Sequence, residues 1–106
     1  MPDFEDNGYT NGEILEEVDN DIAEPDMYRV LLHNDHYTSM DFVVEVLQTI
    51  FSKPLLEAIK VMLDVHRKGI GIVGTFTFDV ARTKTGQVRE MAEAREFPLR
   101  CTYEKV

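Results

Sequence analysis

The order of apolar and polar positions predicts a small folded domain over residues 27–106. The apolar run at 27–32, MYRVLL, ends at a polar cluster and is typical of a buried strand. Residues 70–78, IGIVGTFTF, are rich in β-branched and aromatic side chains, so they predict a second strand, with Gly74 as a candidate bulge. After Pro98, apolar and polar side chains alternate and predict a third strand.

Apolar residues at helical spacing predict two helices between the first two strands. The first begins at Thr38, which forms a capping-box pattern with Asp41, and ends near Phe51. The second has Ser52 as its candidate N-cap and ends at Gly69. Its predicted inward stripe is Leu55, Leu56, Ile59, Met62, Leu63 and His66.

A third helix is predicted between Asp79, its candidate N-cap, and Pro98. The residues expected to face the sheet are Val80, Ala81, Val88, Met91 and Ala92. The element order is therefore strand, helix, helix, strand, helix, strand. This order predicts an α+β fold, a small open-faced sandwich in which three helices cover one face of a three-stranded antiparallel sheet.

Charge divides the chain into two regions. The 106 residues include 20 acidic and 11 basic side chains, for a net charge of −9. Ten of the acidic residues and none of the basic ones lie in residues 1–26, which leaves residues 27–106 at +1. We expect residues 1–26 to form a disordered acidic N-terminal extension, either a solubilising tail or a segment that engages a partner. Its apolar residues at helical spacing are Ile14, Leu15, Val18 and Ile22.

Composition argues against several classes of protein. No apolar run approaches the ~20 residues that span a bilayer, and the acidic start MPDFEDNGY differs from a signal peptide, so we expect a cytoplasmic protein without membrane partners. The single cysteine, Cys101, can form neither an intramolecular disulfide nor a cysteine-based zinc site. Because the chain offers no basic stripe, we expect no nucleic-acid partner.

The densest run of functional groups outside the extension is the loop HNDHYTSM at residues 33–40. Loops at strand ends often carry binding residues, although Asn34 and Asp35 are equally suited to a turn. His66 is a second candidate, since it ends an apolar helical stripe, although a histidine there is often a structural core residue.

Catalytic chemistry finds no positive support in the sequence. His33, His36 and His66 suggest a metal-dependent enzyme as one alternative, but the first two lie on a loop and the third is distant in sequence. Cys101 lies at an inward strand position with no base beside it, and GIGIVG lacks the lysine of a phosphate-binding loop. We therefore expect neither enzymatic activity nor a cofactor or metal.

The segments MYRVLLHNDHYTSMDFVVEVLQTIF, LDVHRKG and FPLRCTYEK follow one another over residues 27–106. This part of the chain resembles the ClpS family, adaptor proteins of the bacterial Clp protease. The residues that fall in register are Asn34, Asp35, Tyr37, Thr38, Met40, His66 and Leu99. The resemblance implies an adaptor that recognises N-end rule substrates, whose first residue is Phe, Leu, Tyr or Trp. It would deliver them for degradation to a hexameric ClpA-type AAA+ ATPase.

The resemblance also implies three sets of functional residues. The α-amino group of the substrate would bind Asn34, Asp35, His36 and His66. The first side chain would enter a pocket walled by Leu32, His33, Thr38, Met40, Val43, Met62 and Leu99, with Met40 as a gate against β-branched residues. The N-terminal domain of the ATPase would dock at Tyr37, Asp79 and Lys84, and the extension would be engaged during delivery. We expect a monomer.

Three positions depart from the family pattern. Position 36 is commonly Asp and is His36 here, which implies weaker or more selective amine binding. Position 33 is usually aliphatic and is His33 here, and Ser39 replaces a common proline while still able to begin a helix. The alternative function is a protein-interaction domain similar to the C-terminal domain of the ribosomal stalk protein, which does not read an N-terminus.

Overall fold

The computed structural model describes residues 25–106, so the predicted disorder of the extension and the helical spacing within it lie outside the described residues. The elements are β1 (Met27–His33), α1 (Met40–Thr49), α2 (Leu55–Lys68), β2 (Ile70–Thr77), α3 (Phe78–Ala94) and β3 (Arg100–Lys105). The strands form an antiparallel sheet of order β2-β1-β3. The predicted α+β class and the order of the elements are confirmed. Within residues 25–106, none of the helices has the length and apolar character needed to cross a bilayer.

Alternation along β1 separates the two faces of the sheet. Val30 and Leu32 are completely buried and pack with residues of all three helices in one core. Leu31, between them, points to the opposite face, where its neighbours on the adjacent strands are Ile72 and Thr102. We call this opposite side the open face of the sheet.

Two glycines in β2 adapt the sheet to its neighbours. Val30 pairs with Gly74 and Leu31 with Ile72, so β2 has one extra residue, Val73, directly before the predicted position Gly74. Gly71 faces α2, and a Cβ atom there would lie 2.6 Å from Val65 Cγ2. The absence of a side chain at Gly71 therefore lets α2 pack closely against β2.

The N-cap of α1 differs from the prediction by one residue. Ser39 is the N-cap, and its Oγ accepts a hydrogen bond of 3.1 Å from the backbone N–H of Phe42. The predicted cap, Thr38, instead donates its hydroxyl hydrogen to Asp35 at 2.7 Å. Thr38 therefore belongs to the preceding loop.

The predicted N-caps of the other two helices are also wrong. Helix α2 follows Pro54, which makes no side-chain cap, while Ser52 lies outside the helix with a φ of 54°. Helix α3 follows Thr77, so Asp79 lies inside its first turn, where a carboxylate interacts favourably with the helix dipole.

The buried face of α2 is rotated from the predicted stripe. Ala58 and Val65 are buried, whereas Leu55 and Leu56 are 53% and 81% exposed. Because Ala58 is small and Gly71 has no side chain, the helix face that carries Ala58 and Val65 can pack against the sheet. His66, which was predicted to point into the core, is exposed instead.

In α3, one residue that was predicted to face the sheet is exposed, and one polar residue is buried. Val80 is exposed, whereas Thr85 is buried on the same face as Ala81 and Val88. The Thr85 hydroxyl accepts a weak hydrogen bond from the Cys101 thiol. Burial raises the pKa of that thiol to about 11. Cys101 is therefore a neutral packing residue, consistent with the absence of a neighbouring base in the sequence.

Candidate functional site

A cavity of about 400 Å³ opens between the loop that follows β1 and the C-terminal half of α2. Its most buried lining residues are apolar: Val43 and Val65 are buried and Met62 is half-buried. Met40, the first residue of α1, is exposed at the rim. The complete lining is Asn34, Asp35, His36, Tyr37, Thr38, Ser39, Met40, Val43, Met62, Val65 and His66.

The carboxylate of Asp35 holds the loop in its conformation. Its Oδ1 accepts hydrogen bonds from the backbone N–H groups of Tyr37 at 2.8 Å and Thr38 at 2.6 Å. Its Oδ2 accepts the Thr38 hydroxyl hydrogen. Burial alone would raise the pKa of Asp35, but these hydrogen bonds and the nearby His36 lower it below its ordinary value. Asp35 therefore stays ionised and places a negative charge at the rim.

A backbone hydrogen bond joins the two halves of the site. The N–H of Asn34 donates to the carbonyl of Gly69 at 3.0 Å. Gly69 ends α2 in a left-handed conformation with a φ of 88°, three residues after His66. The start of the loop is thereby fixed to the end of α2. Asn34 and His66, which are far apart in the sequence, consequently line the same cavity.

The arrangement suits a cation attached to an apolar group. The Asn34 side-chain carbonyl and a neutral His66 ring nitrogen are hydrogen-bond acceptors, and Asp35 supplies negative charge. The floor formed by Val43, Met62 and Val65 can cover an apolar side chain. A cavity of this size, with an apolar floor and polar groups around its opening, is suited to a small ligand that has both an apolar and a polar part.

Three residues predicted for the pocket wall do not line this cavity. Leu32 and Leu99 are buried in the core. His33 lies on the open face of the sheet, where its ring contacts Thr102 and Arg100 of β3. The structure therefore separates His33 from the residues that surround the cavity.

The residues predicted to dock the ATPase lie in two places. Tyr37 is 79% exposed and lies on the rim of the cavity. Asp79 and Lys84 line a separate depression of about 290 Å³ on α3. The ammonium group of Lys84 donates to the Ile50 carbonyl at 2.8 Å, which ties α3 to the end of α1.

Two residues of the cavity were not identified from the sequence. Val65 follows the predicted wall residue Met62 by three positions, so helical spacing could have indicated it. Ser39 lies in the loop that the sequence singled out, and its role as the N-cap of α1 explains its position.

The three histidines do not form a metal site. His36 and His66 line the cavity, but His33 is on the open face. Among residues 25–106, no group of three or more His, Cys, Asp or Glu side chains is arranged to hold a metal ion.

Comparisons with known proteins agree with this architecture. Residues 23–102 match the family model described as ATP-dependent Clp protease adaptor protein ClpS. The ClpS adapter protein of Syntrophus aciditrophicus is 57% identical over 90 residues, which cover 85% of this chain and 84% of that protein. The corresponding protein of Acetivibrio thermocellus is 52% identical over 91 residues, covering 86% and 92% of the two chains.

A solved structure shows the same fold. Agrobacterium tumefaciens ClpS2 bound to L-phenylalaninamide superimposes with a TM-score of 0.76 at 34% sequence identity. The match covers 78% of this chain and all of that one. The family model spans most of the domain, and the relatives are similar over most of their own length. The chain therefore belongs to the ClpS family, the adaptor proteins of the ATP-dependent Clp protease.

Proposed function

We propose that this adaptor binds the free N-terminus of proteins that begin with Phe, Leu, Tyr or Trp and delivers them to a Clp AAA+ ATPase for degradation. The observation that carries the proposal is the cavity, in which an apolar floor lies below the acceptors Asn34 and His66. L-Phenylalaninamide, bound by the Agrobacterium relative, carries both an aromatic side chain and a free α-amino group. These are the two groups that the cavity suits.

Each part of the cavity has a distinct role in this proposal. The Asn34 carbonyl oxygen and the neutral His66 ring accept hydrogen bonds from the substrate ammonium, with His36 assisting directly or through water. Asp35 fixes the loop and contributes charge. Met40 at the rim restricts entry of β-branched side chains, which are wide next to the backbone.

The expected affinity follows from a small number of interactions. Burial of a Phe or Leu side chain contributes about 1.5–3 kcal/mol, and each hydrogen bond to the ammonium contributes a similar amount. After the costs of association and ordering, such a sum is consistent with a dissociation constant on the order of micromolar.

Fluorescence anisotropy with labelled peptides that differ only at the first residue tests the proposal. A Phe-starting peptide should bind at least about 100-fold more tightly than its acetylated form, because acetylation removes the charge and the ammonium donors that Asn34 and His66 would accept in the complex. An Asp-starting peptide should bind as weakly as the acetylated one. Equal affinity for all three peptides would show that the cavity does not read an N-terminus.

Two substitutions on α2 distinguish this function from a general interaction domain of the ribosomal stalk type. His66→Ala should reduce affinity for the Phe-starting peptide by about 10-fold or more, since one acceptor of the ammonium is lost. Lys60→Ala is the matched control, because Lys60 is exposed on the same helix and outside the cavity lining. If both variants bind like the parent, the cavity is not the recognition site.

Delivery requires a second surface, for which we propose the depression at Asp79 and Lys84, with the exposed Tyr37 as a further contact. Residues 27–106 would then form the recognition domain and residues 1–26 the segment that the ATPase engages. Asp79→Lys should weaken binding to the isolated N-terminal domain of the ATPase and leave peptide affinity unchanged. Retained ATPase binding in this variant would exclude the depression as the docking surface.

A further inference from the structure

His33 makes a specific pair of side-chain contacts on the open face of the sheet. Its Nε2 lies 2.8 Å from Thr102 Oγ1, and its Nδ1 lies 3.4 Å from Arg100 Nη2. A guanidinium group can only donate, so Nδ1 must be the acceptor and Nε2 must carry the hydrogen that is donated to Thr102. These contacts therefore require a neutral imidazole in one tautomer.

The contacts lie at the point where β1 ends and the cavity begins. His33 pairs with Ile70 of β2 and Arg100 of β3, and it is the last residue of β1 in both ladders. Asn34 follows directly, and its N–H is bonded to the carbonyl of Gly69. The backbone thus holds the end of β1 to both neighbouring strands and to the end of α2, and the His33 side chain adds a further connection to β3.

We propose that His33 is a positioning residue: its neutral ring ties the end of β1 to Thr102 and Arg100 and thereby fixes the backbone from which Asn34 enters the cavity. The inference rests on the proposed function, in which Asn34 binds the substrate ammonium. It assigns His33 a part in recognition although the residue does not line the cavity.

The charges around His33 are consistent with this role. Arg100 of β3 is the charged group that faces the ring, and β2 presents the apolar Ile70 opposite it. Burial and then the charge of Arg100 lower the pKa of His33, which favours the neutral ring. A protonated ring would place two cations together and remove the acceptor for Arg100.

Thr102 offers a test that leaves the histidines unchanged. Thr102→Val keeps the shape of the side chain and removes the acceptor of the His33 hydrogen bond, whereas Thr102→Ser keeps the hydroxyl. Hydrogen exchange of the Asn34 amide, measured by NMR on the full chain without peptide, reports how firmly the end of β1 is held. The amide of Ile50, bonded to Val46 at 2.9 Å, is the internal reference.

We expect Thr102→Val to accelerate Asn34 exchange by about 3- to 10-fold, the equivalent of one neutral hydrogen bond. Thr102→Ser should exchange at the parent rate, and Ile50 should be unaffected in both variants. Unchanged exchange at Asn34 would overturn the proposal. An equal acceleration at Ile50 would also overturn it, because the effect would then be a general loss of stability.

A double-mutant cycle connects the same change to binding. Thr102→Val should weaken binding of the Phe-starting peptide by about 3- to 10-fold in the parent, and by less than about 2-fold when Asn34→Ala is already present. The same loss in both backgrounds would show that His33 does not act through Asn34. If the parent fails to distinguish the free from the acetylated peptide, the proposed function is wrong, and the exchange measurement still decides whether His33 positions Asn34.

Discussion

Asp35 shows how one carboxylate can fix the conformation of a loop through several hydrogen bonds. A carboxylate has about four positions at which it can accept a hydrogen bond. Three of them are occupied by the Tyr37 and Thr38 backbone groups and the Thr38 hydroxyl. One position is left for a ligand, and the charge of Asp35 still favours a cation nearby. Its removal should therefore affect the shape of the cavity and its electrostatics together.

Asp35→Asn should weaken binding of the Phe-starting peptide by about 10-fold, because the amide loses the charge and puts an NH₂ group in place of Oδ2, the acceptor of the Thr38 hydroxyl. The free energy of unfolding should fall by about 1 kcal/mol, since the loop is partly exposed. Anisotropy and urea denaturation measure the two effects.

Asp41→Asn is the matched control for this substitution. Asp41 is an exposed carboxylate in the first turn of α1 and lies outside the cavity lining. Its loss should cost a few tenths of a kcal/mol through the helix dipole and leave peptide affinity unchanged. Equal loss of affinity in both variants would assign the effect to net charge instead of loop structure.

His33 gives the folded domain a specific dependence on pH. Burial and Arg100 lower its pKa in the folded state below the ordinary value of 6.5. Above pH 6.5, His33 is neutral in both the folded and the unfolded chain, so the stabilisation that its neutral ring provides is fully present. As the pH falls below 6.5, the unfolded chain takes up a proton before the folded one, and stability decreases.

Urea denaturation at pH 7, 6 and 5 should therefore show a shallower loss of stability for His33→Gln than for the parent. Arg100→Gln should also reduce the slope, because it removes the second cause of the lowered pKa. Arg29→Gln is the control, since Arg29 occupies the same face and pairs with Glu104 at 3.0 Å. Identical slopes in the parent and His33→Gln would contradict this assignment.

At the level of elements, the contact between α2 and β2 sets the position of one wall of the cavity. Gly71 of β2 lies directly against Val65, which lines the cavity floor. A Cβ atom at this position would also be 3.1 Å from the backbone oxygen of Val61, so the helix itself would have to move. Packing at Gly71 and geometry at His66 are therefore coupled through α2.

Gly71→Ala should destabilise the domain by about 1–3 kcal/mol and weaken peptide binding, because α2 is displaced from the sheet. Gly86→Ala in α3 is the control: the nearest atom to its Cβ would be 3.9 Å away, and alanine in a helix should stabilise by about 0.5–1 kcal/mol. Adding Val65→Ala to Gly71→Ala should cost less than the sum of the two single changes. Strict additivity would show that the predicted clash is absent.

The sequence predicted elements better than their ends and faces. Apolar runs predicted the first two strands, and alternation of apolar and polar residues predicted the third. The cap of α1 was harder to predict, because Thr38 and Ser39 are adjacent hydroxyl residues and Thr38 is engaged by Asp35. In α2, Leu55 and Leu56 resemble the start of a buried stripe, yet the row containing Ala58 meets the sheet.

The candidate site was predictable only in part. The polar loop was visible in the sequence, but the proximity of Asn34 and His66 depends on the backbone bond to Gly69, which leaves no sequence signal; the family resemblance supplied that pairing. The position of His33 was predictable in principle. Successive residues of a strand point to opposite faces, so Leu32 and His33 cannot both face one pocket wall.

For the molecule as a whole, the point where residues 25–26 lead into β1 and the cavity lie at opposite ends of that strand. The side chain of Lys105 contacts Asp26 at 3.3 Å, and Val106 N–H donates to the Met27 carbonyl, so the chain joins the domain beside the end of β3. The cavity begins after His33, at the other end of β1. Seven residues of strand separate the two ends by about 20 Å. The acidic extension therefore enters the domain far from the site proposed to read an N-terminus.

Deletion of residues 1–24 should consequently leave the affinity for a Phe-starting peptide within about 2-fold of the parent. Asp26 and its contact with Lys105 are retained, and any residual effect on stability should be small because exposed ion pairs contribute about 0–1 kcal/mol. Degradation of a Phe-starting reporter by the ATPase and protease should fall strongly, since the proposed engaged segment is gone.

Replacing residues 1–24 by a Gly/Ser segment of equal length distinguishes the length of the extension from its sequence. Restored degradation would show that length suffices, and continued loss would show that its residues are needed. Loss of peptide affinity in the deletion variant would instead place the extension in recognition and contradict the proposed division of roles between the extension and the folded domain.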